Sequence, residues 1–285
     1  RMEIIKNIVL LRQKLGVERK LAKTIGLVPT MGYLHEGHLS LVREARKSCE
    51  IVVMTIFVNP LQFGPQEDYA AYPRDFDRDT LLAEKAGVDF LFNPDPTEMY
   101  PSYPQDTTVS VKGITEQLCG KSRPGHFTGV ATVVSKLFGI VQPDKAFFGQ
   151  KDYQQVLVIK RMAEDLNMPI AIVMVPIKRE KDGLAMSSRN AYLSDAERKE
   201  ALSLNEALQM CLGAFREGQT SSTSLKEIMI KRIKQEPSAV IEYIEVCDAD
   251  DLRPIDFVDR RTLVALAVRI GKTRLIDNLL IGGTK

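Results

Sequence analysis

The chain has 285 residues, 44% of them apolar, enough to fill the core of one large domain or two modest ones. Its 39 Lys and Arg against 37 Asp and Glu leave a net charge of +2, so neither nucleic acid nor a membrane is an expected partner and any anion site must be local. No apolar run approaches the roughly 20 residues that span a bilayer, nothing at the start has the form of a signal peptide, and Cys49, Cys119, Cys211 and Cys247 form no CxxC pair; buried thiols in a reducing cytoplasm are expected.

In chain order, TIGLVPT (24–30) reads as a strand. A loop follows, and then a helix over 39–49 with Leu39, Leu41, Val42 and Ala45 roughly on one face. IVVMTIFVN (51–59) is a continuous, β-branched-rich run of the kind buried on both faces of a parallel sheet. The stretch 75–87, a helix with Gly87 past its end, and a third strand over 88–94 continue the alternation. Residues 95–127, rich in Pro, Tyr, Ser and Gly, read as an excursion near the site. The pattern resumes with a helix over 128–142, a short strand over 145–149, a helix over 152–167 opening on Asp152 as N-cap, and a strand over 170–176. Beyond 194 two polar-faced helices (195–216 and 222–235) precede strand-like runs at 239–248, 262–270 and 273–281. The expected class is therefore α/β, with a parallel sheet in residues 1–180 and a smaller antiparallel α+β domain in 181–285.

Three stretches carry chemistry. LVPTMGYLHEGHLSLVREA (27–45) holds His35 and His38, two of the chain's three histidines, where the first strand runs into a helix. In an open α/β sheet ligands bind at that end of a strand, and a helix start offers unpaired N–H groups to an anion. Gly32 and Gly37 allow a close backbone approach or a positive φ, and imidazoles can donate to phosphate oxygens. Two other readings stay open here: a metal site, although HExxH spacing is absent, or a purely structural pair. The third histidine, His126, falls in SRPGHFTG, a Gly- and Arg-bearing loop of the kind that touches ligands. FFGQKDYQQ (147–155) is a second strand-to-helix turn, with Lys151 a cation at the helix start, although most lysines are solvated surface charges. GLAMSSRNAYL (183–193) offers two hydroxyls and a guanidinium able to close on a triphosphate, or is only a loop.

Together HEGH and MSSR resemble the HxGH and KMSKS-like elements that grip ATP in the nucleotidyltransferase superfamily shared with class I aminoacyl-tRNA synthetases, Arg189 standing where a lysine is often found. PTMGYLHEGHLSL, FVNPLQFGPQEDYAAYPR, RPGHFTGVATVV, FGQKDYQQ and DGLAMSSRN, in this order, are similar to the pantothenate synthetases as far as residue 195. The C-terminal third matches that family mainly in length and element order. The resemblance implies a Rossmann-like, doubly wound parallel sheet with a C-terminal α+β lid domain. It also implies a cytoplasmic, homodimeric ligase that joins pantoate to β-alanine through a pantoyl adenylate, consuming ATP with Mg2+ and releasing AMP and pyrophosphate.

Residue by residue, the resemblance implies that His35 and His38 bind the phosphates and stabilise charge on the leaving pyrophosphate, His38 being the residue the family marks as catalytic. Lys151 would contact the phosphates from the other side, and Arg189 with Met186, Ser187 and Ser188 would close over the nucleotide. Met31, Gly32, Tyr33, Leu34, Glu36, Gly37, Gly149, Gln150, Asp152 and the backbone of Lys178 would complete the cradle. Gln62 and Gln155 are the implied pantoate ligands, Gln62 serving β-alanine as well, with Asn59 and Tyr72 in the same pocket. Gln150 stands where many members carry Glu, and Lys178 where an apolar residue is common. Metal ligands stay unassigned: Asp77 and Asp79 are candidates that also suit an ordinary helix face. One rival is a nucleotidyltransferase that keeps a nucleotide-linked product, which would have no use for the Gln62 and Gln155 pair. A non-catalytic nucleotide-binding module is the other, and the retained His35, His38, Lys151 and Arg189 argue against it.

Overall fold

The computed structural model describes residues 1–283. In chain order its elements are β1 (Glu3–Ile5), α1 (Ile8–Lys20), β2 (Ile25–Thr30), α2 (Glu36–Arg46), β3 (Ile51–Ile56), α3 (Phe76–Ala86), β4 (Phe90–Phe92), α4 (Pro96–Met99) and α5 (Leu118–Ser122). There follow α6 (His126–Val141), β5 (Lys145–Gly149), α7 (Tyr153–Asp165), β6 (Ala171–Val175), α8 (Asp195–Arg216), α9 (Ser222–Ile233), β7 (Ala239–Asp248), β8 (Thr262–Ile270) and β9 (Thr273–Ile281).

The first sheet is parallel throughout, in the order β1-β4-β3-β2-β5-β6. All of β3 is buried because helices cover both faces of the sheet. Val52 and Met54 pack with Val28, Val42, Ala45 and Ala83 on the α2 and α3 side. Ile51 and Val53 pack with Leu11, Leu15, Val130 and Val134 on the α1 and α6 side. The alternation of period two thus survives as a choice between two apolar layers, which is why no polar face is visible in the sequence. Strand order reverses between β2 and β5, so the crevice beyond their carboxyl ends is the switch point where such sheets bind ligands.

The second sheet, β7-β8-β9, is antiparallel and packs α8 and α9 on one face. Ser194 and Glu197 form a capping box that starts α8. From the opposite side Cys247, Leu263 and Ala265 join the core of the first sheet, and the Tyr153 hydroxyl donates to the Ala249 carbonyl at 2.9 Å. The expected doubly wound sheet with a smaller α+β unit is therefore observed.

Several details depart from the sequence reading. β1 and α1 lie outside the expected elements. β1 is a three-residue edge strand, and α1 buries only Leu11 and Leu15 while exposing Val9, Leu10 and Val17, so neither carries a clear period. α2 begins at Glu36 rather than 39, and α6 at His126 rather than 128. Asp152 ends a 3-10 turn over Gln150–Asp152 and makes no side-chain cap to α7. Gly87 does close α3, at φ 92°. The four cysteines are buried and unpaired, and among the described residues no helix is long and apolar enough to cross a membrane.

Candidate active site

The histidine turn is shaped by backbone bonds before any ligand arrives. Leaving β2, the chain passes through Gly32 at φ +86° and Tyr33 at φ +50°, a path that glycine takes freely and tyrosine only when held. What holds it is Asp79 of α3, 1% exposed, which accepts N–H bonds from Tyr33 and Leu34, both at 2.7 Å. Burial raises the Asp79 carboxyl pKa, and those two N–H bonds pull the other way. His35 then caps α2: its Nδ1 accepts from Gly37 N–H at 3.1 Å, while His38 Nδ1 accepts from His35 N–H at 3.3 Å. A backbone N–H only donates, so each Nδ1 is unprotonated and each neutral ring carries its proton on Nε2.

The rings lie 4.0 Å apart. Burial, then Lys151 and Arg78, pushes His35 down to about 4; burial, then His35 and Lys151, holds His38 well below its ordinary value. Near neutral pH both are uncharged N–H donors, and both line a cavity of about 220 Å³ at the switch point. Gly37 serves this geometry differently from expectation. It is helical without a positive φ, but a Cβ there would sit 2.7 Å from His35 Cε1. The glycine makes room for the ring that caps the helix.

The opposite wall is tied to β9. Asn278 donates from Nδ2 to the carbonyls of Gln150 (2.8 Å) and Lys151 (3.0 Å), and accepts from Gln150 Nε2 at 3.2 Å. Its neighbour Asp277 takes Arg179 in a two-pronged pair at 2.7 and 2.9 Å, which fixes the segment leading to Met186. Lys151 Nζ stays 3.8 Å from Asp152, leaving its donors for a ligand. In the serine loop, Ser187 caps the turn by accepting from Arg189 N–H, and Ser188 donates to the Tyr33 carbonyl at 3.2 Å. Arg189 itself is held by Asp68 at 2.8 and 2.9 Å, an oxygen of which also accepts from the Tyr192 hydroxyl.

At the far end Asn59, 1% exposed, accepts from the Tyr100 hydroxyl at 2.7 Å and donates to Gln62 Oε1 at 3.0 Å. Gln62 Nε2 faces Met31 Sδ at 3.4 Å. The adjacent glutamines of α7 have parted roles. Gln154 is buried and tied to Cys119 N–H and to the Ile114 and Gln117 carbonyls. Gln155 lines the cavity, and its side-chain amide makes no hydrogen bond among the described residues.

Of the residues singled out from sequence, Met31, His35, Gly37, His38, Gln62, Gly149, Lys151, Asp152, Gln155, Lys178, Met186, Ser187, Ser188 and Arg189 meet around this one cavity, with Asn59 and Tyr72. Gly32, Tyr33, Leu34, Glu36 and Gln150 do not line it. Gly32 shapes the turn, Tyr33 lies 5.4 Å from the Arg78 guanidinium, and Leu34 is wholly buried. Glu36 pairs with Arg43 on the surface, and the Gln150 side chain turns to Asn278. The candidate metal role of Asp79 gives way to its two backbone bonds. Among the described residues no group of three or more His, Cys, Asp or Glu is placed to hold a metal. Sequence reasoning missed Asp68, Glu67, Arg179, Asp277 and Asn278. The one available signal was the polar pair Asp277–Asn278 interrupting the apolar run Leu275–Ile281.

A doubly wound parallel sheet with two strand-to-helix turns, a histidine pair and a lysine converging at its switch point defines an α/β protein built to hold a phosphorylated ligand. The sequence profile of the family described as pantoate-beta-alanine ligase matches residues 3–280, and the chain belongs to that family. It is 55% identical to the pantothenate synthetase of Acetivibrio thermocellus over 280 residues, 98% of this chain and 99% of that one. The enzyme of Moorella thermoacetica is 54% identical over the same shares of each chain. Among solved structures, pantothenate synthetase from Thermus thermophilus superimposes with a TM-score of 0.93 at 44% identity, covering 98% of this chain and 99% of its own. Pantoate-beta-alanine ligase from Francisella tularensis, solved with beta-gamma ATP and beta-alanine, gives 0.81 at 35% identity over 98% of each.

Proposed function

We propose that this chain condenses pantoate with β-alanine, converting ATP to AMP and pyrophosphate, through a pantoyl adenylate. The observation that carries the reading is one cavity whose lining joins the neutral N–H donors of His35 and His38, the Lys151 ammonium facing them from the opposite wall, and the amides of Gln62 and Gln155. A carboxylate is a poor electrophile, and adenylation solves that problem. The pantoate carboxylate attacks the α-phosphorus, the bond to pyrophosphate breaks, and the β-alanine amine then attacks the acyl carbon, losing a proton as AMP departs.

His38, His35 and Lys151 stabilise the charge that grows on pyrophosphate, and positioning supplies most of the remainder. Neutral amides suit pantoate: they bind its hydroxyls without pairing with the carboxylate, which stays nucleophilic. Arg189 reaches the nucleotide by exchanging Asp68 for a phosphate, and Lys178 meets adenine by its backbone. Gly32, Tyr33, Leu34 and Gln150 serve through the backbone they shape. Nothing in the scheme asks for a covalent enzyme intermediate, in keeping with cysteines that are all buried. Asp152, the carboxylate in the cavity wall, would help hold a Mg2+ bound to ATP, and the ion would supply charge to offset the phosphates.

Residues 1–180 act as the nucleotide and pantoate domain and 181–285 as the lid. We place the enzyme in the cytoplasm as a homodimer, a state that sedimentation checks directly. Family membership speaks for the ligase and against the nucleotidyltransferase that keeps its nucleotide-linked product. The test is product analysis: AMP release should require pantoate and β-alanine together, and a stable nucleotidyl product would overturn the reading.

A further inference from the structure

His126 lines the cavity, yet both its ring nitrogens are engaged. Nδ1 lies 2.9 Å from the Gln62 carbonyl oxygen, which can only accept, so Nδ1 carries the proton. Nε2 lies 3.1 Å from an Arg123 guanidinium nitrogen, which can only donate, so Nε2 is the acceptor. The two contacts agree on one neutral tautomer and leave the ring nothing to offer a substrate. Burial, then Arg123, pushes His126 down to about 4, consistent with that state. Arg123 is itself clamped by Glu67 through two bonds of 2.6 and 2.7 Å. The turn Pro60–Gln62 is pressed onto α6 as well: a Cβ on Gly129 would meet the Leu61 carbonyl oxygen at 2.3 Å.

We propose that His126 is a positioning residue for the pantoate pocket, its Nδ1–H holding the Gln62 carbonyl while Arg123 and Glu67 fix its ring. The chain of contacts runs from Glu67 through Arg123 and His126 to Gln62 and ends where the Gln62 amide enters the cavity. The inference rests on the reading of Gln62 as a pantoate ligand. It separates the third histidine from the other two, which present free donors.

Steady-state kinetics of the whole enzyme, varying pantoate and ATP in turn, test it. His126→Ala should raise the KM for pantoate about tenfold while the KM for ATP stays within about twofold, as expected when a ligand is misplaced at one end of a site. His126→Asn keeps a donor near the Nδ1 position and should recover most of the loss; His126→Gln keeps an acceptor near Nε2 and should behave like Ala. Equal effects on both substrates, or Asn no better than Gln, would overturn the proposal, and Asn preserves enough shape to answer if Ala unfolds. Gln62→Ala is the control on the underlying reading. If that variant leaves the pantoate KM unchanged, the pantoate assignment itself fails; if it raises the KM while His126→Ala does not, the positioning role alone fails.

Discussion

The two walls of the switch-point cavity are built on opposite plans. The histidine turn takes its shape from its own residues and one buried carboxylate: His35 caps α2, His38 braces His35, and Asp79 holds the left-handed step before them. Every bond there is made to the backbone, and the two Nε2–H groups are left over. In the serine loop the side chains expected to grip ATP already have protein partners, Ser188 on the Tyr33 carbonyl and Arg189 on Asp68. On the proposed mechanism, one wall is pre-organised for charge that develops in the transition state, and the other must exchange partners to close. Pre-organised donors cost no rearrangement at the moment of reaction, which is where large rate effects come from. An exchangeable ion pair tunes affinity instead.

Substitutions can break this contrast. His38→Ala removes one pre-organised donor and should slow adenylation about 10²–10³-fold in single-turnover assays, with little change in nucleotide affinity. Gly37→Ala should follow, at about a 10²-fold loss in kcat/KM, because the His35 ring must move from its cap by an ångström or so. Its thermal stability should hold, since alanine favours the helix; a fully active Gly37→Ala would mean the ring placement is irrelevant.

Acid should act next. His35 and His126 both titrate near 4 when folded against about 6.5 when unfolded, so the unfolded chain binds more protons between those values. Stability should be level just above pH 6.5 and fall as pH drops from 6.5 towards 4, with His126→Asn showing a shallower fall in thermal melts. The smallest effect belongs to the exchangeable wall. Asp68→Asn frees Arg189 and should lower the KM for ATP no more than about fivefold, the equivalent of a half-buried ion pair near 1 kcal/mol. A higher KM would show instead that Asp68 orders the loop for ATP.

The same contrast explains what could be read from the sequence. HEGH is local: the histidines are three positions apart, and cap, glycine and helix start lie within one turn, so pattern reasoning reaches it along with the strands and helices around it. The partners of the second wall come from elsewhere in the chain. Asp68 meets Arg189 across 121 positions, and Asn278 meets Lys151 across 127. No spacing rule reaches that far. Gly37 attracts notice for a backbone freedom it does not use, because a clash between its missing side chain and a ring two residues earlier shows only in three dimensions. The loop around His126 suggests a ligand-facing residue, and the ring does face the cavity, but its nitrogens turn to Gln62 and Arg123.

ATP–pyrophosphate exchange with pantoate as the only other substrate tests the central claim most directly. If the histidine wall and Lys151 stabilise departing pyrophosphate while the amide end holds pantoate, labelled pyrophosphate should enter ATP without β-alanine, and His38→Ala should suppress that exchange. Exchange that appears only when β-alanine is added would contradict a free-standing adenylation step.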